Sequence, residues 1–250
     1  MPLSCTYVSL RISLAVCLAL PVLALAQQPN LSGVWNLRST PETRYLSYGF
    51  TREEPPMTEW AQERFKLTKP SFGPRSFADS NDPVNPTTVN AVGCFPPGTP
   101  RIYLQPFPME IVQTPARVLM IFEFNHFIRQ IWTDGRGHNT DLGSTWFGDS
   151  IGHWEGDTLV VDTIGLNDKT WIDRAGHPHS DQLHVVERLR RPEPNTLQIG
   201  LTIEDPKAYT KSWGGQLTFQ LHPTWNITEM VCEDNVNFDE FLKNESKPGK

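Results

Sequence analysis

Six of the seven histidines fall between positions 126 and 184, and imidazole is the side chain whose ordinary pKa lies nearest neutrality. Four of them, His153, His177, His179 and His184, sit in the stretch Thr145–Arg191. Trp154, Glu155, Asp157, Asp162, Asp181, Glu187 and Arg188 share that stretch, which is denser in titratable groups than a scaffold requires. Two chemistries suit such a set. One is proton transfer by an imidazole that a carboxylate orients. The other is metal ligation, because His177-Pro178-His179 in an extended segment places both rings on one side, and His184 adds a third nitrogen.

Strand periodicity decides which of these groups face inward. Along His184–Leu189, His184, Val186 and Arg188 share one face, and Val185, Glu187 and Leu189 the other. In Phe124–Trp132, either His126, Gln130 and Trp132 face in, or Asn125, Phe127, Arg129 and Ile131 do. A charge turned inward needs a partner, and such pairs shift pKa values. The expected catalytic set is therefore His126 or His184 moving the proton, with Glu187 or Asp181 orienting the imidazole. Arg129 would stabilise negative charge on oxygen. Trp132, Trp146, Trp154 and Trp171, with His138, His177, His179, Arg188 and Tyr209, are the expected substrate contacts. Nucleophilic catalysis is not indicated: no Gly-x-Ser-x-Gly elbow occurs, and Ser180 lacks a strand–turn–helix setting. Phosphate-binding glycine motifs are absent as well.

The elements that would position these groups are mostly strands. Leu31–Leu37, Met109–Thr114, Arg117–Phe124, His126–Thr133, Ser150–Trp154, Thr158–Leu166, His184–Leu189, Thr196–Glu204, Gln216–Leu221 and Thr228–Glu233 carry the alternation or β-branched content of strands. Glu155-Gly156-Asp157 is a hairpin signal. Residues 40–100 form a proline-broken excursion with one short helix in Met57–Leu67, long enough to cap an opening. Helix–strand alternation is missing. The chain therefore reads as all-β: an antiparallel meander closing into an eight- to ten-stranded barrel, with a β-sandwich as the alternative.

Residues 1–26 read as a signal peptide, with Arg11, an apolar run from Ile12 to Leu25 and the small-x-small site Ala24-Leu25-Ala26. Residues 27–250 then form a single β-barrel domain ending in a polar tail, 235–250, and the protein is exported, periplasmic or secreted. The apolar run is short for a membrane span, and nothing later approaches one. A net charge of −6 argues against nucleic acid as partner. Cys94 and Cys232, the pair left after removal of the signal, are expected to form a disulfide in an oxidising compartment. Nothing in the sequence specifies an oligomeric state.

The segments LSGVW, CFPPGTPR, EIVQTPARVL, IRQIWTDGRGH, GHWEGDTLVVDT, GHPHSDQLHVVERLRR, TIEDPKAYTKSW and VCEDN resemble a group of exported bacterial proteins of unassigned activity. Gly33-x-Trp35 at the start of a meander resembles the first strand of lipocalin-like (calycin) barrels, which implies a ligand-holding barrel. His177-Pro178-His179 resembles the cupin pattern only loosely: cupins carry Glu three or four residues later, where Gln182 and Leu183 stand here. No cofactor is therefore expected, and His177, His179 and His184 remain the metal candidates. The functional expectation is acid/base chemistry of isomerase, lyase (dehydratase) or hydrolase type on an apolar or aromatic substrate held in the barrel. The alternative is a non-catalytic lipocalin-like protein that binds a small apolar metabolite.

Overall fold

The computed structural model describes residues 28–84 and 94–232. Its strands are β1 (Gly33–Leu37), β2 (Met109–Gln113), β3 (Arg117–Phe122), β4 (Ile128–Trp132), β5 (Asp149–Glu155), β6 (Thr158–Ile164), β7 (His184–Glu193), β8 (Thr196–Glu204) and β9 (Gln216–Leu221). They pair in chain order and close into a barrel through β1 and β9 (Trp35 opposite Leu221). Closure removes the unpaired edges that would otherwise template aggregation. The all-β barrel inferred from the sequence is thus the fold.

One pairing departs from the expected meander: β4 and β5 run parallel, with Ile131 opposite Ser150 and Trp132 opposite Ile151. The segment 133–148 supplies the crossover that a parallel pair needs and a tight hairpin does not. By contrast, β5 and β6 join through Gly156-Asp157, with Gly156 at φ 62°, as the turn signal indicated. The expected tenth strand is also absent among the described residues. Met230 makes only an isolated parallel bridge to Phe124, and Glu233 lies outside the described residues, as do the expected signal peptide and polar tail.

Alternation sets the core. Leu197, Ile199, Leu201 and Ile203 of β8 point inward with Val118, Met120 and Phe122 of β3 and Leu217 and Phe219 of β9. Each fully buried aliphatic side chain contributes roughly 1.5–3 kcal/mol. Directly after the excursion, a 3-10 turn at Arg101–Leu104 adds Ile102, Tyr103 and Leu104 to the same core. The single α-helix among the described residues, α1 (Glu59–Leu67), begins where Thr58 accepts a hydrogen bond from the Ala61 amide, an N-cap that satisfies an otherwise orphan donor. At its other end Arg75 donates to the carbonyls of Phe65 and Thr68, which relieves the unpaired acceptors of a helix terminus. Cys94 and Cys232 form a disulfide across 138 residues of sequence. No helix among the described residues is long and apolar enough to cross a membrane.

Candidate functional site

Three clusters of titratable groups emerge, and strand parity separates them. The first is inside the barrel. Arg129 of β4 and Glu187 of β7 both face inward and are 1% and 0% exposed. They form an ion pair, and Arg129 Nη1 also donates to Tyr103 Oη at 2.8 Å. Tyr103 in turn donates to Glu187 Oε1 at 2.7 Å. Arg129 Nη2 reaches Ser150 and Thr163 at 3.1 and 2.9 Å. Burial alone would make the guanidinium easier to deprotonate, but Glu187 outweighs it and holds Arg129 charged. Burial, reinforced by Glu187, pushes the Tyr103 phenol well above its usual range. These charges are engaged with one another, the requirement for burying an ion pair at all.

The second cluster lies on the outer wall. His138, brought over by the crossover loop, bonds Asp149 Oδ2 through Nδ1 at 2.8 Å and Asp162 Oδ1 through Nε2 at 2.7 Å. The other oxygen of Asp162 meets His184 Nε2 at 2.9 Å, and His184 Nδ1 meets Glu204 Oε2 at 3.2 Å. A chain of alternating carboxylates and imidazoles therefore spans β5 to β8. Partial burial opposes charge on both Asp162 and His184, but their mutual hydrogen bonds prevail. The carboxylate of Asp162 is held below its usual range and the His184 imidazole above its own.

The third cluster is the segment 173–181 beneath α1. Asp173 is fully buried and accepts the backbone N–H groups of Ala175, Gly176 and His177 on Oδ1, while Oδ2 bonds His177 Nδ1 at 2.5 Å. His177 Nε2 reaches Glu54 Oε2 at 2.8 Å, and its ring stacks on Phe65 of α1 at 4.6 Å. Burial would lower this imidazole, but the charge of Asp173 and the hydrogen bonds to Asp173 and Glu54 overcome it and raise it to about 9. His177 is thus an imidazolium post at neutral pH, and its hydrogen bond keeps Glu54 below the usual carboxylate range. Three residues on, Ser180 donates its amide and hydroxyl to Asp205 at 2.6 and 2.8 Å, and Tyr209 donates to the Pro178 carbonyl at 2.7 Å. The segment is pinned at both ends.

His179 sits between those pins. It is 5% exposed and donates from Nδ1 to its neighbour's carbonyl, Ser180 O, at 3.2 Å. Burial drives its pKa below the ordinary value, so the ring is neutral at pH 7. In that tautomer Nε2 carries a lone pair, and it makes no hydrogen bond among the described residues. The ring forms part of the wall of a cleft of about 260 Å³ with Trp60, Arg64, Lys169, Trp171 and Pro178. A desolvated, neutral base with a free acceptor in an aromatic cleft is the arrangement from which a proton can be taken.

The expected site residues are therefore dispersed. His126 occupies the turn after β3, at φ 51° and exposed, so it does not share the lumen with His184. Its positive φ belongs to a tight connection, which the β-prone residues on either side concealed. His184 faces outward, as parity with inward Glu187 demands. Asp181 is exposed and orients neither imidazole. Arg129 and Glu187 do meet, but as a saturated pair. His177, His179 and His184 engage separate partners, and among the described residues no group of three or more His, Cys, Asp or Glu is arranged to hold a metal.

The expected substrate contacts scatter in the same way. Trp132 lies on the outer wall under Arg136, Trp146 stacks on Phe95, Trp154 packs against the core, and Arg188 pairs with Glu155 at the surface. His138 belongs to the outer chain and Tyr209 is buried against Pro178. Only Trp171 and His179 of that set line the cleft. Sequence reasoning missed Trp60, Arg64 and Lys169 in the cleft, and Tyr103, Asp173 and Glu54 as partners. The signal for Trp60 was its place in the predicted helix; nothing local pointed to Tyr103, which lies 84 residues from Glu187.

Comparison with protein-family models and with curated proteins returns no match. The resemblance to exported bacterial proteins therefore rests on the quoted segments alone, while the closed barrel has the calycin-like look that Gly33-x-Trp35 implied.

Proposed function

We propose that this is an exported small-molecule enzyme using acid/base chemistry, of isomerase, lyase or hydrolase type, on an apolar or aromatic substrate. Its base is His179 and its site is the cleft under α1. The observation that carries the reading is the Nε2 of a buried, neutral His179, unpartnered among the described residues, in a cleft walled by Trp60 and Trp171. The lumen charges are engaged with one another, which moves the reading from the barrel interior to this cleft. Export is supported by the residue pattern of 1–26 and by the Cys94–Cys232 disulfide, which suits an oxidising compartment.

The second reading is a non-catalytic lipocalin-like binding protein, favoured by the saturation of the Arg129–Glu187 pair, which leaves that pair no role in chemistry. One experiment separates the two. Apolar and aromatic compounds are screened against the purified protein by tryptophan fluorescence, and binders are then assayed for turnover by wild type and His179→Gln. Turnover that His179→Gln loses while binding persists supports the enzyme. Binding that Trp171→Ala weakens, without turnover by wild type, transfers the assignment to the binding protein. Binders insensitive to both substitutions would overturn the cleft as the site.

A further inference from the structure

The charge around the cleft runs against that of the chain. The protein carries a net −6, yet Arg64 and Lys169 line this cleft against a single carboxylate, Asp168. A third cation, Lys207, lies 5.1 Å from the Trp60 ring, over which Arg64 also stacks at 3.8 Å. Behind Trp171, Arg101 is fully buried at 5.3 Å from the ring and neutralised by a bidentate pair with Asp82. The cations that line the cleft itself, Arg64 and Lys169, are exposed at its mouth and available to a ligand. A local excess of one charge in a recess raises the concentration of the opposite charge there.

The walls add shape. Trp60 and Trp171 give the lining aromatic surface, and the volume of about 260 Å³ falls below the ~300–1,000 Å³ of pockets that take drug-sized ligands. A single ring fits. At the buried end, His179 Nε2 accepts and cannot donate, because the proton is on Nδ1 facing Ser180 O. The ligand must bring a donor to that end and a negative charge to the other.

We propose that the cleft binds a planar aromatic acid of one ring, with a hydroxyl donating to His179 Nε2 and an anionic group held by Arg64 and Lys169. The proposal rests on the reading of the cleft as the functional site and specifies its ligand. The hydroxyl is the proton that His179 would take. Accepting it leaves a phenolate against an imidazolium, with the carboxylate still paired to the cations at the mouth, so charge is conserved within the complex. Trp60 and Trp171 contribute aromatic contact to the ring, which an aliphatic acid of equal charge would lack.

The test uses the full protein and three probes, 4-hydroxybenzoate, benzoate and 4-hydroxybenzyl alcohol, titrated by calorimetry and by tryptophan fluorescence. The expected result is that 4-hydroxybenzoate binds about tenfold tighter than either other probe. Arg64→Ala/Lys169→Ala, a change of exposed side chains, should remove the preference over the alcohol while leaving the affinity for the alcohol in place. His179→Gln should remove the preference over benzoate; if that variant does not fold, the same loss is read in wild type as pH falls and His179 protonates. Equal affinity for acid and alcohol, with the alcohol still displaced by Trp171→Ala, overturns the aromatic acid and leaves the cleft standing. Loss of neither preference in any variant, or no binding of any probe, overturns both.

Discussion

Arg129 Nη1 donates to Glu187 Oε1 and to Tyr103 Oη, each at 2.8 Å, in the centre of the barrel. Three elements far apart in sequence, β4, β7 and the 3-10 turn at Arg101–Leu104, are tied at one point. Breaking a buried pair from one side strands a charge, whereas replacing both partners with apolar groups of similar volume does not. Glu187→Leu should therefore cost about 3–5 kcal/mol in urea unfolding, and the double variant Arg129→Met/Glu187→Leu less than that. A double variant less stable than the single one would contradict the reading of this pair as a mutually dependent pin.

The His177 imidazolium gives the stability a pH dependence of known sign. Its pKa rises from 6.5 to about 9 on folding, so the folded state binds the proton more tightly. The contribution is fully present below pH 6.5, declines as pH rises, and is gone above 9. Its full size is about 3 kcal/mol, taken at 1.36 kcal/mol per unit. Stability measured by urea titration should fall between pH 6.5 and 9, and His177→Gln should flatten that slope. An unchanged slope in the variant would assign the dependence to other groups.

On the outer wall the geometry sets a direction for His184. Asp162 shares its two oxygens between His138 and His184, and its hydrogen bond and charge raise the His184 imidazole above its ordinary value. Asp162→Asn removes the charge and retains the side-chain shape. The His184 pKa, followed by NMR of the ring protons, should then drop, with Glu204 alone still supporting the charged form. A value unmoved by Asp162→Asn would mean that Glu204 dominates.

How far the sequence could be read follows from the range of each interaction. Strand alternation is local, so β8 with Leu197, Ile199, Leu201 and Ile203 inward was legible, as was the turn at Gly156. Parity alone showed that Glu187 and His184 take opposite faces; it did not choose the inner one. Tyr103, a partner of Glu187, comes from a 3-10 turn that directly follows the proline-rich excursion, where no periodicity announces a core residue. His126 misled because Phe124, Phe127, Ile128, Ile131 and Trp132 flank it with β-prone side chains, whereas the chain turns at Asn125 and His126 with φ 53° and 51°. The cleft was illegible for a related reason. Its walls come from α1 and the 165–183 connection, brought together by Asp173, Asp205 and Tyr209, and such contacts leave no local trace.

The placement of His177 and His179 also depends on one backbone position. Gly176 has φ 95°, and a Cβ there would stand 2.6 Å from Thr68 Oγ1 and 3.1 Å from Thr68 Cβ. Thr68 is the residue after α1, and its hydroxyl accepts from Arg75. Gly176→Ala therefore carries both a strained φ and a collision with the end of the helix. Gly135→Ala isolates the first effect: its φ is 83°, and nothing lies within 4 Å of the added atom. The backbone contribution in each should be roughly 1–3 kcal/mol, with Gly176→Ala the more destabilised by urea titration. Gly176→Ala should also lower the His177 pKa, because the amides of Ala175, Gly176 and His177 that bind Asp173 shift with the chain. Equal losses of stability in the two variants, with the His177 titration unmoved, would show that Thr68 yields freely and that the helix end does not hold the histidine segment in place.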